Sequence, residues 1–373
     1  MKLLIISAAP FIYKEETIYA YSPYINELVI WNKYVDEISF CCPVWETENG
    51  LLVTKIPFRV SKHYEVSDFN IKSCLNVFKT LLILPKTSWQ ILKAMKSADH
   101  IHLRCPSNIG LLGCFIQVLF PNTPKTAKYA GNWDPNSKQP WTYRLQKWLL
   151  SNTFLTRNMQ ALVYGDWKCN TANIKPFFTA TYKEEDKVPL AYRDFKEKIR
   201  FLFVGTLVKG KNPLYAVQLV EALFYKGYAV DLCLYGEGVK RSVLESYIDK
   251  KKLNEIIFLM GNQNQETVKK AFQDSHFVIL PSNSEGWGKA ITEGMFWGSV
   301  PLASQVSCIP FLLDYGNRGV LLTMDLRKDV AQMEVLLKNE ADYQNRRKNA
   351  AEWSRKYTLD FFEQEIEKLI KTK

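Results

Sequence analysis

The sequence predicts an α/β fold in two domains. Three observations predict it. The chain has 373 residues, which at roughly 100–200 residues per domain points to two. Short apolar runs of β type alternate with stretches of helical spacing along its whole length. A densely charged segment, residues 182–200 with Pro189 inside it, interrupts that alternation near the middle.

Residues 3–6, 38–42, 101–103, 125–129 and 161–164 read as strands of the first half. Residues 200–204, 230–235, 256–260, 277–280 and 300–303 read as strands of the second. The spacing predicts helices over 213–227, 240–252, 266–274 and 289–297. Strands that are apolar throughout, alternating with helices, call for parallel sheets covered on both faces. Residues 175–199 hold the boundary, with 182–200 too charged for core and so linker or surface. Residues 340–369 read as a polar helix pair whose recurrent apolar face (Trp353, Tyr357, Phe361, Phe362, Ile366, Leu369) must pack on something.

Composition narrows the class. The hydrophobic fraction is 47% and the charged fraction 23%, the balance of a globular chain. Cys41, Cys42, Cys74, Cys105, Cys114, Cys169, Cys233 and Cys308 form no C-x-x-C pair. Most sit in apolar runs, so they read as reduced core residues of a cytoplasmic protein. With four histidines, no zinc site is expected, and His100 and His102 alternate along a strand as satisfied sheet residues do. The apolar start, residues 3–6, is shorter than the ~7–15 residues of a signal core and reads as a buried first strand. No run approaches the ~18 apolar residues of a membrane span. The net charge of +11 admits nucleic acid, an anionic membrane surface or a phosphorylated small molecule as partner. No arginine-rich tract accompanies it, so nucleic acid is the weakest of the three.

The informative stretch runs Phe277-Val-Ile-Leu-Pro-Ser-Asn-Ser-Glu285-Gly286-Trp287-Gly288-Lys289-Ala-Ile-Thr-Glu293-Gly-Met. A buried strand ends at Leu280. A turn with two glycines lets backbone approach a ligand. A helix then starts near Gly288–Lys289, where free N–H groups and the helix dipole make an anion site. Glu285 on the loop and Glu293 in the helix flank that site, an arrangement suited to a polyol carried on a pyrophosphate. The carboxyl ends of parallel strands are where open α/β sheets bind ligands.

This stretch resembles the donor signature, with its E-x7-E pair, of the retaining glycosyltransferase family 4 (glycosyl transferases group 1). The resemblance spans roughly residues 199–322. It includes the loop after residue 204 (Gly205-Thr-Leu-Val-Lys-Gly-Lys211), Leu234-Tyr-Gly-Glu-Gly238, the turn Gly261-Asn262-Gln263 and Gly298-Ser-Val-Pro301. It implies the GT-B architecture, two Rossmann-like domains facing a central cleft: an acceptor domain over 1–180, a donor domain over 199–345, and a C-terminal helix, 346–373, packing back on the first. It implies a nucleoside diphosphate sugar donor, UDP- or GDP-linked, transfer with retention of configuration, no cofactor and no metal. Residue by residue, Glu293 would hold the ribose hydroxyls. Glu285 and the amides of Gly286, Trp287 and Gly288 would contact sugar and phosphates, and Lys211 and Lys289 would neutralise the diphosphate. Gly205 would admit the phosphates, and Asn262 and Gln263 would border the base. The family's arginine after that glycine is Thr206 here, which removes a bidentate phosphate ligand; either Lys209 on the same loop substitutes for it or Lys289 carries more of the load.

The first half is plainer. The loop after residue 129 carries Asn132 and Asp134, candidates to bind a glycan or lipid-linked acceptor and, for Asp134, to take part in catalysis; an Asp-Pro turn explains Asp134 equally. The family's first-strand Gly-Gly pair is replaced by Ala8-Ala9-Pro10. Trp141, Leu145, Trp148 and Leu149, beside Arg144 and Lys147, share a helical face that either joins the core or lies on a membrane. The second alternative would make the protein peripheral on the inner face of the membrane. A non-catalytic nucleotide-sugar or glycan-binding protein, and a phosphorylase or epimerase of the same architecture, are the rival functions.

Overall fold

A computed structural model describes residues 1–69, 73–168 and 171–371. The chain divides into two units, Met1–Phe177 with Phe362–Lys373, and Phe178–Phe361.

The first unit contains β1 (Lys2–Ile6), β2 (Ile12–Lys14), β3 (Thr17–Tyr21), α1 (Ser22–Asn32), β4 (Glu37–Cys42), β5 (Val53–Lys55) and β6 (Val60–Glu65). It continues through α2 (Cys74–Lys96), β7 (His100–Cys105), α3 (Asn108–Ile116), β8 (Lys125–Tyr129), α4 (Trp141–Ser151), β9 (Met159–Tyr164) and β10 (Ile174–Phe177). Seven strands form a parallel sheet in the order β10-β9-β8-β7-β1-β4-β6, and β2, β3 and β5 form a small antiparallel sheet. The strands read from the sequence are present. Those it did not give are short or partly exposed: β2, β3, β5, β6 and β10. The core joins Leu4, Ile6, Leu103 and Ala127 of the sheet to Ile91 of α2, Ile109 of α3 and Leu149 of α4.

On the opposite face of the sheet from this core, Glu27 of α1 accepts from Lys128 Nζ at 2.6 Å and from Arg104 Nη1 at 2.8 Å. Burial alone would raise its carboxyl pKa, but Lys128 and Arg104 bring it down to about 2. His100 and His102 are buried and both meet the Thr126 hydroxyl, at 3.0 and 2.8 Å, as satisfied sheet histidines. Cys41, Cys42, Cys105, Cys114 and Cys308 are free and buried, and Cys233 is free and half-buried. Cys169 lies outside the described residues, as does the side chain of Cys74.

The Trp141 stripe differs from a core face. Leu149 is buried and Leu145 packs against the core, but Trp141 and Trp148 are 59% and 57% exposed. Thr142 and Gln146 take their place inside. Gln146 Nε2 donates to the Ser107 carbonyl at 3.4 Å, while its buried Oε1 has no partner among the described residues.

The second unit holds β11 (Ile199–Val204), α5 (Pro213–Tyr225), β12 (Val230–Tyr235), α6 (Arg241–Lys251), β13 (Ile257–Gly261), α7 (Gln265–Asp274) and β14 (Phe277–Leu280). After these come α8 (Lys289–Phe296), β15 (Val300–Ser304), α9 (Ile309–Leu312), β16 (Val320–Leu322), α10 (Leu326–Leu337), α11 (Glu340–Ser354) and the start of α12 (Leu359–Lys371), whose residues from Phe362 belong to the first unit. The sheet order is β13-β12-β11-β14-β15-β16, all parallel. The helices start where their chemistry dictates. Pro213 opens α5, where a missing N–H costs nothing. Asn264 caps α7 by accepting from Thr267 N–H at 2.9 Å.

The segment expected to be linker or surface is clamped onto this unit. Tyr182 is buried against Phe296 and Trp297. The Arg193 guanidinium donates to the carbonyls of Gln273, Ser275, Trp297 and Gly298. Four carbonyl acceptors explain how so charged a stretch can pack: each buried N–H finds a partner. Of residues 346–373, those up to Phe361 go with the second unit and those from Phe362 with the first. In the first unit Phe362 packs edge-on against Phe177, and Glu363 pairs with Lys33 at 2.6 Å.

Candidate functional site

The second unit's strand order reverses between β11 and β14, so their carboxyl ends diverge and leave a crevice there. The loops beyond those ends are tied together. Gly205 N–H donates to the Tyr235 carbonyl at 2.9 Å, and Gly236 N–H to that of Gly261 at 2.8 Å. Gly236 has φ +139°, and a Cβ there would sit 2.1 Å from the Gly205 carbonyl oxygen. Only glycine permits that approach. Across the switch point, Asn283 N–H donates to the Gly210 carbonyl at 2.8 Å.

Two of the expected residues meet in this frame. Lys211, from the β11 loop, places Nζ 2.6 Å from Glu285 Oε1, from the β14 loop. The Glu285 side chain is 7% exposed and that of Lys211 32%. Glu285 is held from behind, its N–H donating to Ser307 Oγ at 3.1 Å. An ammonium has three protons, so Lys211 retains donors for a further anion.

The helix that follows is built for the same purpose. Gly288 is the N-cap of α8 with φ 70° and ψ 50°, a left-handed conformation, and no side chain caps the helix. Ile291 N–H already donates to the Gly288 carbonyl at 2.8 Å, but the N–H groups of Lys289 and Ala290 have no carbonyl one turn back within the helix and can meet a ligand. Lys289 begins the helix and approaches Glu293 Oε1 at 3.7 Å. Glu293 also accepts from Thr181 Oγ1 at 2.7 Å.

Other expected residues fall around this centre. Thr206 and Lys209 are exposed on the β11 loop, and Lys209 forms no ion pair among the described residues. Asn262 and Gln263 are exposed at the end of β13, with Gln263 Nε2 donating to the Met260 carbonyl at 2.8 Å. The Gly286 carbonyl accepts from Cys308 Sγ at 3.0 Å. The Trp287 side chain stands apart from the charged groups. It is buried against Trp353 and Tyr357, at centroid distances of 6.0 and 5.7 Å. It anchors the loop, leaving its backbone to face a ligand.

Sequence reasoning missed Thr181, Tyr182 and Ser307. Thr181 and Tyr182 lie in or beside the segment read as linker, and Ser307 carries no motif. Burial, with Glu293 as the next cause, pushes the Tyr182 phenol pKa up. Also unforeseen is a cavity of about 450 Å³ at the tips of β14, β15 and β16, lined by Ser282, Asn283, Ser304, Gln305, Thr323 and Met324 among others.

In the first unit, Asn132 and Asp134 follow β8 in two consecutive turns. Asn132 Oδ1 accepts from Asp134 N–H, and Asp134 Oδ1 from Asn136 N–H, each at 2.8 Å. Asp134 thus makes the Asp-Pro turn that was the alternative to an acceptor role.

The second unit's arrangement is chemically specific. The loop after β14 and the start of α8 carry two cation–carboxylate pairs, Lys211–Glu285 and Lys289–Glu293, beside a helix N-terminus, a set of groups suited to a ligand with both anionic and hydroxyl groups. Among the described residues no group of three or more His, Cys, Asp or Glu is placed to hold a metal ion. No helix among them is long and apolar enough to cross a membrane.

Comparison with known proteins agrees with this chemistry. Residues 186–353 match the family model of glycosyl transferases group 1. Protein CapJ of Staphylococcus aureus is 23% identical over 296 residues, 74% of this chain and 72% of CapJ. The amylovoran biosynthesis glycosyltransferase AmsK of Erwinia amylovora is 27% identical over 37% of this chain and 36% of its own length. Apart from CapJ, these curated relatives are matched over less than half of their own length. The crystal structure of Anabaena Alr3699/HepE in complex with UDP and glucose superposes with a TM-score of 0.68 at 12% identity, covering 100% of this chain and 99% of that one. At that identity the likeness concerns the fold, which is that of GT-B glycosyltransferase structures.

Proposed function

Taking residues 186–353 as a glycosyl transferases group 1 domain, we propose that the chain transfers a sugar from a UDP- or GDP-linked donor to a hydroxyl of a glycan or lipid-linked glycan. Configuration at the anomeric carbon is retained. The observation that carries this reading is the Lys211–Glu285 pair, 2.6 Å apart across the β11/β14 switch point, beside the uncapped N-terminus of α8.

In this reading Glu293 receives the ribose diol, and Thr181 fixes its carboxylate. Glu285 accepts from a hydroxyl of the transferred sugar. Lys211, Lys289 and the first N–H groups of α8 surround the diphosphate, with Lys209 reaching it in place of the arginine that Thr206 replaces. The reaction breaks the bond from the anomeric carbon to the diphosphate oxygen and forms one to the acceptor oxygen. The acceptor's proton passes to the departing phosphate. Preorganised cations and amides stabilise the charge growing on that phosphate, and one such donor is typically worth about 10²–10³ in rate. Asn132 and Asp134 are assigned to the acceptor. No resident metal or cofactor takes part. CapJ, AmsK and the UDP-bound HepE structure support the reading as relatives.

The test is release of UDP or GDP from UDP-glucose, UDP-N-acetylglucosamine and GDP-mannose against a panel of oligosaccharide acceptors, with the product anomer assigned by proton NMR. Acceptor-dependent release with a retained anomer is expected. Donor binding without release would favour a non-catalytic binding protein. Acceptor-free interconversion of donors, or dependence on inorganic phosphate, would favour an epimerase or phosphorylase.

A further inference from the structure

The outer face of α2 is apolar where a surface helix is normally polar. Phe78, Leu81, Leu82 and Trp89 are 65%, 59%, 69% and 63% exposed, and Pro85 between them is exposed as well. Their spacing, i, i+3, i+4, i+7 and i+11, puts them on one side of the helix. The opposite side is equally apolar, with Ile91, Ala94 and Met95 in the core. Core packing therefore accounts for one face of α2 and leaves the other without a reason.

The neighbouring helices repeat the pattern. α3 packs against both α2 and α4. Phe115 at the end of α3 and Leu119 just beyond are exposed, as are Trp141 and Trp148 on α4 and Phe154 after it. Three adjacent helices thus turn large apolar side chains outward over the same part of the unit. Contiguous patches of this kind mark interaction surfaces.

The charge around them is of one sign. Lys79, Lys86, Lys93, Lys96, Arg144 and Arg157 are all exposed. Between Ser73 and Arg157 the sole carboxylates are Asp99 and Asp134. Both are engaged, Asp99 by Lys2 N–H at 2.7 Å and Asp134 within its turn. The first unit's cations in ion pairs, among the described residues, are the Met1 amine, Lys14, Lys33, Arg104, Lys128, Lys368 and Lys371, none of them in this set.

We infer that the α2–α3–α4 face docks on an anionic lipid bilayer, its aromatic and leucine side chains entering the interface and its lysines meeting lipid phosphates. Trp, Phe and Leu with Lys and Arg as the only charges is the composition of an interfacial helix. A protein interface core is instead typically depleted of lysine. The docking is independent of which sugar the second unit handles.

Flotation of the full chain with vesicles tests this. Phosphatidylcholine vesicles containing phosphatidylglycerol should carry the protein, and phosphatidylcholine alone should not. Lys86→Glu/Lys93→Glu should weaken binding more than 25-fold, since each lysine at such a surface contributes roughly fivefold. Lys250→Glu/Lys338→Glu makes the same change of net charge on exposed positions of the second unit, outside the proposed face, and should leave binding within about twofold if the face and not net charge governs it. Leu82→Ser/Trp89→Ser keeps every charge and should weaken binding at least about tenfold by removing buried apolar area. All six substituted positions are exposed, and thermal melts report folding. Failure of the native chain to float, or equal losses in the two lysine pairs, overturns the proposal. So does a native dimer that Leu82→Ser/Trp89→Ser converts to monomer, since the face would then belong to a second copy.

Discussion

Lys211 Nζ lies 2.6 Å from Glu285 Oε1, joining the loop after β11 to the loop after β14 at the point where the sheet reverses its order. The pair holds a lysine in place before any ligand arrives. In the proposed reading Lys211→Ala removes a phosphate ligand, and it leaves the buried Glu285 carboxylate without its cation. Transfer should fall by about 10²–10³, the scale of losing one preorganised donor. Lys211→Arg, which keeps the charge, should restore part of it. Steady-state rates at saturating donor check this.

Thr181 Oγ1 donates to Glu293 Oε1 at 2.7 Å. In the proposed reading it acts by positioning the Glu293 carboxylate. Thr181→Val should weaken nucleotide binding about 2- to 10-fold, the worth of one hydrogen bond of about 0.5–1.5 kcal/mol. Thr181→Ser should bind as the native chain does, and the turnover number at saturation should be little changed. Titration of nucleotide against the three proteins separates this from a general loss of folding.

Stability should fall on the acid side of neutrality. Burial holds the pKa of His100 and His276 down at about 4 and that of His102 well below the usual histidine range. Each is neutral in the folded chain and would take up a proton below about 6.5 when unfolded. The unfolded state then binds more protons, so folding stability is fully present above about 6.5 and is lost toward about 4, by up to roughly 1.4 kcal/mol per pH unit for each histidine. Glu27, held at about 2 in the fold, adds a second loss below about 4.5. Urea midpoints across this range should decline with pH. His102→Gln should flatten the slope between about 6.5 and 4 by about one proton.

The sheet of the second unit was readable because β14 is a continuous Phe-Val-Ile-Leu run buried on both faces and β11 and β12 are apolar but for Arg200 and Asp231 near their starts. The residues of the β14–α8 stretch were readable because glycines, a lysine and two carboxylates at that spacing have few other uses. Three things were not. α2 lacks a polar face to contrast with its buried one, so its periodicity is faint, and Pro85 interrupts it. α4 buries Gln146 and exposes Trp148, the reverse of what polarity alone suggests. Thr181 sits beside a charged run that packs only because Arg193 finds four carbonyl partners, and those come from residues some 80 to 105 positions away.

The most direct measurement is calorimetric binding of UDP and GDP to the native chain and to Glu293→Gln. The donor-site assignment predicts that one nucleotide binds and that the substitution weakens it at least about tenfold, or 1.4 kcal/mol, without lowering the melting temperature. Absence of binding of either nucleotide to the folded native chain, or equal binding to Glu293→Gln, would contradict it.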